Sequence, residues 1–492
     1  MPHFKQMPMD PRQVMLFSQS VDDALPQDSG VRCFAEVMDC LDYSGLESKC
    51  CDIGCPPYPP SMMVKVLVYA YSRGIRSSRR IEELLRVDVR FLWLAGGLKP
   101  DHNTIARFRK DNSRELEGLF KDSVRICAET GLVFMNVLAV DGTKIESAAS
   151  KRRIYDTTRV DRELAAVERI LQEADEVDCA EDELYGSQSG PKMPPELADA
   201  AARKAKLQEI SRRLKESKAT SVVSTDVDSR VMKADEKLRP AYNVQAAVDG
   251  ENQVVVAMQV TQSVKDSGML PEMVNQSSSN VGVSPDVSLA DAGYSSEETF
   301  RWIDEGGHKV LMKSPCHPKD KDPNNLFASR CFLTDAERDV LICPAGRGLT
   351  LRFVSRCGSG TYRVYGANGC QSCSFHRQCV GKTGSRRVSL SVVATQRNRM
   401  LEDLRSAEGH RQYALRQQIV EPVFGQMKFD RGFRRLTCWG LPGAVAESAL
   451  MYLAHNVLKC AAKGRKEYLL LLLCFFQRGN VRPTRHMSHV PS

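Results

Sequence analysis

Two aspartates occupy matching settings in this chain. Asp141 closes the apolar run VLAV and Asp291 closes VSLA, and glycine follows within two residues each time (DGTK, DAGY). Strand ends at the edge of an α/β layer are where side chains converge on a ligand. One aspartate so placed is more often a turn residue or a helix N-cap; two in the same setting point to a shared site. Cysteines form the second group able to do chemistry. Cys370, Cys373 and Cys379 make a C-x2-C-x5-C run, and Cys343 precedes them in CPAG. Thiolates two residues apart in a turn grip one Zn²⁺, and a tetrahedral site needs a distant partner. Cys343 is the first choice for the fourth ligand, with Cys357 and His376 as alternatives. Such a zinc would be structural, because nothing near it supplies a general base; the competing reading is a set of free buried thiols. Cys50, Cys51 and Cys55 are too closely bunched to form a site.

These groups need a scaffold. SMMVKVLVYAYSRG reads as a helix stopped near Gly74, SSRRIEELLRVD as a second with Ser78 as N-cap, and VRFLWLAGG as a short third ended by Gly96 and Gly97. Another helix starts near Asn103–Thr104 and turns Ile105 and Phe108 inward. Short helices joined by tight turns, with Arg107, Arg109 and Lys110 on the last, resemble a helix-turn-helix that lays one helix in the DNA major groove. A helical bundle with a solvated basic face is the alternative. From Gly131 the texture changes: LVFMNVLAVDGTKIE is a buried strand ending in a polar turn. Residues 152–220 are highly charged and helical, broken by GSQSGPKMPP, and read as an inserted helical arm. YNVQAAVDGENQVVVAMQVT is a hairpin turning at DG. A helix over 267–280, a strand to Asp291 and a strand HKVLMKS follow. Strand, hairpin, helix, strand, helix, strand is the order of an RNase-H-like α/β sheet.

At 492 residues the chain exceeds one small core. The expected organisation is a helical DNA-binding domain over 1–130, a first part of the α/β core over 131–314, a weakly periodic cysteine-rich insertion over 315–409, a returning helical part of the core over 410–476, and a disordered tail over 477–492. The net charge of +8 is modest for a nucleic-acid binder. Its distribution says more, since basic residues cluster at Arg73–Lys110 and Lys428–Arg435. No basic start joined to an apolar run and a cleavage site is present at the N-terminus, so secretion is not expected. YLLLLLCFF (Tyr468–Phe476) is short of the roughly 20 residues needed to span a bilayer, so no membrane partner is expected. Seventeen cysteines without an export signal imply reduced thiols in a cytosol.

VLAVDGTKIESAASK, YNVQAAVD, ADAGYSSEE and QQIVEPVFGQMK, in that order, resemble the DDE transposases of bacterial insertion sequences. The similarity extends from LDYSGLE, PPYPP, GIRSSRRIE and PDHNTIARFR to AHNVLK. It implies an RNase-H-like catalytic core behind a helical N-terminal domain, and a triad falling on Asp141, Asp291 and Glu421. In such enzymes the three carboxylates hold two Mg²⁺ ions, for which Mn²⁺ can substitute. Ions about 3.5–4 Å apart activate the attacking oxygen and stabilise the leaving one at phosphorus. Water nicks the element's end, and the freed 3′-hydroxyl then attacks target DNA. The resemblance also implies double-stranded DNA as partner (terminal inverted repeats and target), a homodimer on DNA, and a nucleoid-associated place in the bacterial cytoplasm.

This class often carries Y-x2-R-x3-E-x6-K around the last glutamate. Tyr413, Arg416 and Lys428 fit that pattern as candidates for DNA contact, but the gap from Arg416 to Glu421 is one residue longer. Lys428 projects about 20° from Glu421 on one helical face, where it can hold a phosphate. Pro422 should start or kink the helix at Glu421, so the phase of Tyr413 and Arg416 is not carried through it. The alternative functions are a non-catalytic DNA-binding protein derived from a transposase and a structure-specific nuclease on the same core.

Overall fold

The structure is a computed structural model; it describes residues 20–50, 56–185, 195–217, 220–313, 325–335, 338–357, 360–380 and 384–463. The expected tail, the YLLLLLCFF run, Cys51 and Cys55 lie outside the described residues.

Among the described residues seven helices come first: α1 (Gly30–Asp39), α2 (Ser44–Glu47), α3 (Pro60–Ser72), α4 (Ser78–Val87), α5 (Val89–Leu94), α6 (His102–Asp111) and α7 (Ser113–Glu129). α3 begins with proline, whose missing N–H costs nothing in a first turn. Its residues Met62–Val64 and Val66–Tyr71 are all buried, as a helix apolar on every side requires. It stops at Gly74, which has φ +72° and backs onto the Arg431 carbonyl at a distance a Cβ would meet at 3.1 Å. The caps stand one residue earlier than the sequence suggested. Ser77, not Ser78, accepts from the Arg80 N–H at 3.4 Å, and Asp101 accepts from Thr104 N–H at 2.6 Å.

The main sheet is built from β1 (Val137–Glu146), β4 (Arg230–Ala234), β5 (Lys237–Asp249), β6 (Val255–Thr261), β7 (Val287–Ala290) and β8 (Val310–Met312). Its order is β4-β5-β1-β7-β8, with β6 also pairing β5. β1, β5 and β6 are antiparallel neighbours, whereas β7 and β8 run parallel to β1. α10 (Leu270–Val281) precedes β7 and α11 (Glu297–Gly306) links β7 to β8. The Asp249 carboxylate holds the β5–β6 turn by accepting from the N–H groups of Phe134, Met135 and Glu251.

Between β1 and β4 the chain makes a short pair, β2 (Ile154–Tyr155) with β3 (Val222–Val223), and the long helices α8 (Thr157–Tyr185) and α9 (Pro195–Ser217). After β8 comes an antiparallel meander, β9 (Leu333–Asp335), β10 (Val340–Ile342), β11 (Gly348–Cys357), β12 (Gly360–Ala367) and β13 (Arg387–Ser391), with the single turn of α12 (His376–Cys379) before its last strand. The weakly periodic insertion is therefore a sheet with a small apolar core of its own, centred on Phe332, Leu341, Leu349, Tyr365 and Val388. Strands of three residues, such as β9 and β10, are too short to register as alternation.

α13 (Ala394–Arg405), α14 (Ala407–Gly425), a π-helical turn at Gln426–Asp430 and α15 (Gly440–Lys463) return to the main sheet. One continuous apolar core runs from α1, α3 and α7 through β1, β5 and β6 to α15. α15 is the shared element. Its Asn456 bonds both the N–H and the C=O of Val255, so the amide side chain completes the edge of β6.

Candidate active site

β1 does not turn at Asp141 as its sequence suggested. It continues to Glu146, paired residue for residue with β5 up to Ala241. What ends near Asp141 is the parallel pairing with β7, in which Ala139 stands beside Leu289. Carrying that register two residues further sets Asp141 level with Asp291, which caps the tight turn Ala292–Tyr294 by accepting from the Gly293 N–H at 2.7 Å. The two aspartates thus meet where β7 ends and its parallel pairing with β1 stops.

Asp141 Oδ1 accepts from the Gly142 N–H at 2.8 Å, and its Oδ2 from the Arg416 guanidinium at 3.0 Å. Burial lifts the Asp141 pKa above the usual carboxylate range; the Gly142 N–H and Arg416 oppose the rise, while Asp291 adds to it. Burial works against the Arg416 charge, but Asp141, Tyr413 and Asp291 hold its pKa above its ordinary value. Lys313, at the end of β8, sits over the Tyr413 ring at 5.4 Å.

A polar layer supports this pair. Gln245 is fully buried opposite Gly142, and a Cβ on Gly142 would run into its amide. The Gln245 amide donates to Asp266 Oδ1 at 2.7 Å and accepts from the buried Tyr294 hydroxyl. Asn243 and Lys144 donate to the same oxygen at 2.7 and 3.0 Å. The other Asp266 oxygen and Asp291 Oδ1 flank Gly293. Burial and the charges of Asp141, Asp266 and Asp291 push the Tyr294 hydroxyl well above its ordinary pKa. Sequence reasoning missed Asp266, Gln245 and Lys313. The buried amides in YNVQAAV, polar residues in an otherwise apolar strand, were the available signal.

Glu421 is not brought to the pair. α14 runs unbroken through Pro422, so the expected break there is corrected. The carbonyl that Pro422 cannot bond, that of Gln418, accepts instead from the Gln253 side chain at 2.9 Å. The phase from Arg416 therefore does carry through, and five residues in an α-helix amount to about 140°. Gly409, Ile419, Val420, Val423 and the half-buried Arg416 face inward, and Glu421 is exposed. Among the described residues no three His, Cys, Asp or Glu side chains are gathered closely enough to hold a metal ion. Two aspartates at one point offer hard oxygen donors of the kind that suit Mg²⁺.

The candidates for DNA contact divide. Arg107 and Lys110 are exposed on α6. Arg109 corrects the expectation for it: it is 4% exposed and donates to Tyr71 Oη, the Arg76 carbonyl and Ser78 Oγ, with Glu447 at 3.6 Å. Its guanidinium joins α6 to α3 and α15 and is closed to a phosphate. Lys428 lies in the π-helical turn and meets Asp235 at 3.4 Å, so its projected alignment with Glu421 is lost.

Cys343, Cys370, Cys373 and Cys379, with His376, line one small cavity in the meander. The Cys357 side chain lies outside what is described.

Residues 19–111 match the family described as a transposase domain, and residues 342–461 match the family described as a transposase DDE domain. These two matches, one toward each end, make both ends of the chain similar to transposase families and support a DDE transposase of an insertion sequence. The second includes Glu421 and the four cysteines; Asp141 and Asp291 fall between the two. No curated protein and no solved structure matches the chain. Among the described residues no helix is long and apolar enough to cross a membrane.

Proposed function

We propose that this transposase cuts DNA at the ends of its element and joins the freed 3′-hydroxyl to target DNA, with Asp141, Asp291 and Glu421 as cation-holding carboxylates on an RNase-H-like core. The observation that carries the reading is the meeting of Asp141 and Asp291 where the parallel pairing of β1 with β7 ends. The strand order, three antiparallel strands continued by two parallel ones, supports the core. Two divalent cations, Mg²⁺ or Mn²⁺, supply Lewis acidity to the attacking and leaving oxygens when bound. Without them Arg416 is the positive charge facing Asp141.

Glu421 enters by a change of phase in α14. Residues five apart diverge in an α-helix but stack in a π-turn, whose bonds run from i to i+5. Such a turn already stands downstream at Gln426–Asp430. Moved upstream to span Arg416–Glu421, it turns Glu421 onto the Arg416 side. Pro422 eases the move, because the Gln418 carbonyl has no helical donor to give up. Arg416, released from Asp141, then joins Tyr413, Lys428 and Lys313 near the scissile phosphate.

Arg107 and Lys110 on α6 hold the backbone of the terminal repeats. Lys151, Arg152 and Arg239, around an open depression where β1 ends, hold it nearer the site. Paired processing of two ends makes the working form a homodimer on DNA, acting in the cytoplasm. The test uses DNA carrying the genomic flanks of the coding sequence. Asp141→Asn and Glu421→Gln should each lower Mg²⁺-dependent end cleavage by more than roughly 100-fold, beyond the loss typical for a ligand's outer partners, with end binding retained. Undiminished cleavage removes the assignment. The outward Glu421 favours a second reading, a non-catalytic DNA-binding protein; metal-independent binding with no cleavage by the unmodified protein would select it.

A further inference from the structure

The meander after β8 carries its chemistry-bearing residues at one end. Cys343 follows β10, Cys370 opens the tight turn after β12, and Cys373 and Cys379 lie on the loop that closes with α12. All four side chains line a single cavity with about 20 Å³ of free space, room for one water-sized occupant. The same cavity is lined by Arg347 and Arg386.

Two further features prepare the sulfurs as ligands. The Arg347 backbone N–H donates to Cys343 Sγ at 3.3 Å, and the Arg386 N–H donates to Cys370 Sγ at 3.4 Å. Outer hydrogen bonds of this kind orient a ligand and stabilise its charged form. The two loops are already tied together, since the Arg347 guanidinium donates to the Gly369 carbonyl and to the Ser372 carbonyl at 3.2 Å.

We propose that Cys343, Cys370, Cys373 and Cys379 bind one Zn²⁺ in a closed tetrahedral site that staples the β10–β11 turn to the segment after β12. Four protein ligands leave no open position, so the ion is structural. The need for it follows from size: the meander's own buried core comprises Phe332, Leu341, Leu349, Tyr365, Ala367, Cys370 and Val388, and a metal adds folding energy where apolar burial is small. The thiols are drawn inward from their present spacing, at which no three side chains are close enough to hold a metal. His376 lines the same cavity with its Nδ1 at 2.9 Å from the Cys370 carbonyl; it is left out of the ligand set because four thiolates already complete a tetrahedral site.

The test is independent of DNA cleavage. Full-length protein is purified, dialysed against EDTA and assayed for zinc, then refolded with Co²⁺ for an absorption spectrum. Retention of one zinc per chain, with sulfur-to-cobalt charge transfer and intense tetrahedral visible bands, is the expected result. Cys373→Ser should lose the zinc and His376→Ala should keep it. Zinc well below one per chain, with these thiols reacting freely in the native protein, overturns the proposal. Should Cys373→Ser fail to fold, the unmodified protein's zinc content and cobalt spectrum still decide. Loss of zinc in a folded His376→Ala overturns the all-cysteine ligand set.

Discussion

Gly142 is glycine for want of space. The residue beside the first aspartate lies against the Gln245 amide, which Asp266 and Tyr294 hold from the other side. Gly142→Ala should destabilise the fold by about 1–3 kcal/mol, the usual cost of overpacking, as measured by urea unfolding. It should also lower cleavage more than DNA binding, because the displaced amide belongs to the layer under Asp141 and Asp291. That the two aspartates lie together was foreshadowed by their shared setting, an apolar run followed by aspartate and then glycine, twice. Arg109 was not. Its neighbours Arg107 and Lys110 are exposed, and only the packing of α6 against α3 and α15 turns the middle guanidinium inward. Glu421 was placed in the chain by resemblance, but its direction was hidden, because the Gln253 side chain that frees α14 from a break at Pro422 lies 165 residues upstream of Gln418.

At the scale of the element, α15 does two jobs. Asn456 finishes the edge of β6, and His455 beside it donates from Nε2 to the Gln253 carbonyl at 2.8 Å in full burial. Burial, the largest influence, pushes the His455 pKa down to about 3, against roughly 6.5 in an unfolded chain. Between those values the unfolded state binds the extra proton. The stability is therefore complete above about 6.5 and is lost as pH falls toward 3, at a limit of about 1.4 kcal/mol per pH unit from this group. Denaturant unfolding between pH 7 and 5 should reveal that slope, and His455→Gln, which can still donate to the same carbonyl, should flatten it. The sequence marked AHNVLK as part of a resemblance without disclosing that two of its residues secure a strand edge. The meander was unreadable for a different reason: β11 and β12 are long enough to alternate, but the short β9 and β10 and the cysteine loops obscured them.

Across the whole molecule, the opening helices and the sheet are joined by a buried ion pair. Glu447 on α15 is fully buried, accepts from Tyr71 Oη at 2.8 Å, and faces Arg109 at 3.6 Å. Removing one partner of such a pair leaves a charge stranded. Glu447→Leu should cost about 3–5 kcal/mol, read from the denaturation midpoint, and a fragment starting at residue 131 should not fold alone. The change from helices to strands after α7 was visible as a change of texture near residue 130, from helical periodicity to β-branched runs. That one apolar core crosses it was not, although α3, apolar on all sides, hinted that other elements must cover it. The proposed mechanism requires Asp141, Asp291 and Glu421 to share one cation site on DNA. Iron-directed backbone cleavage addresses it most directly: Fe²⁺ replaces Mg²⁺ in the complex with element-end DNA, peroxide is added, and the cut positions in the protein are mapped. Cuts are expected beside all three residues, with those near Glu421 appearing only when DNA is bound. Cuts beside Asp141 and Asp291 alone, with DNA present, would contradict it.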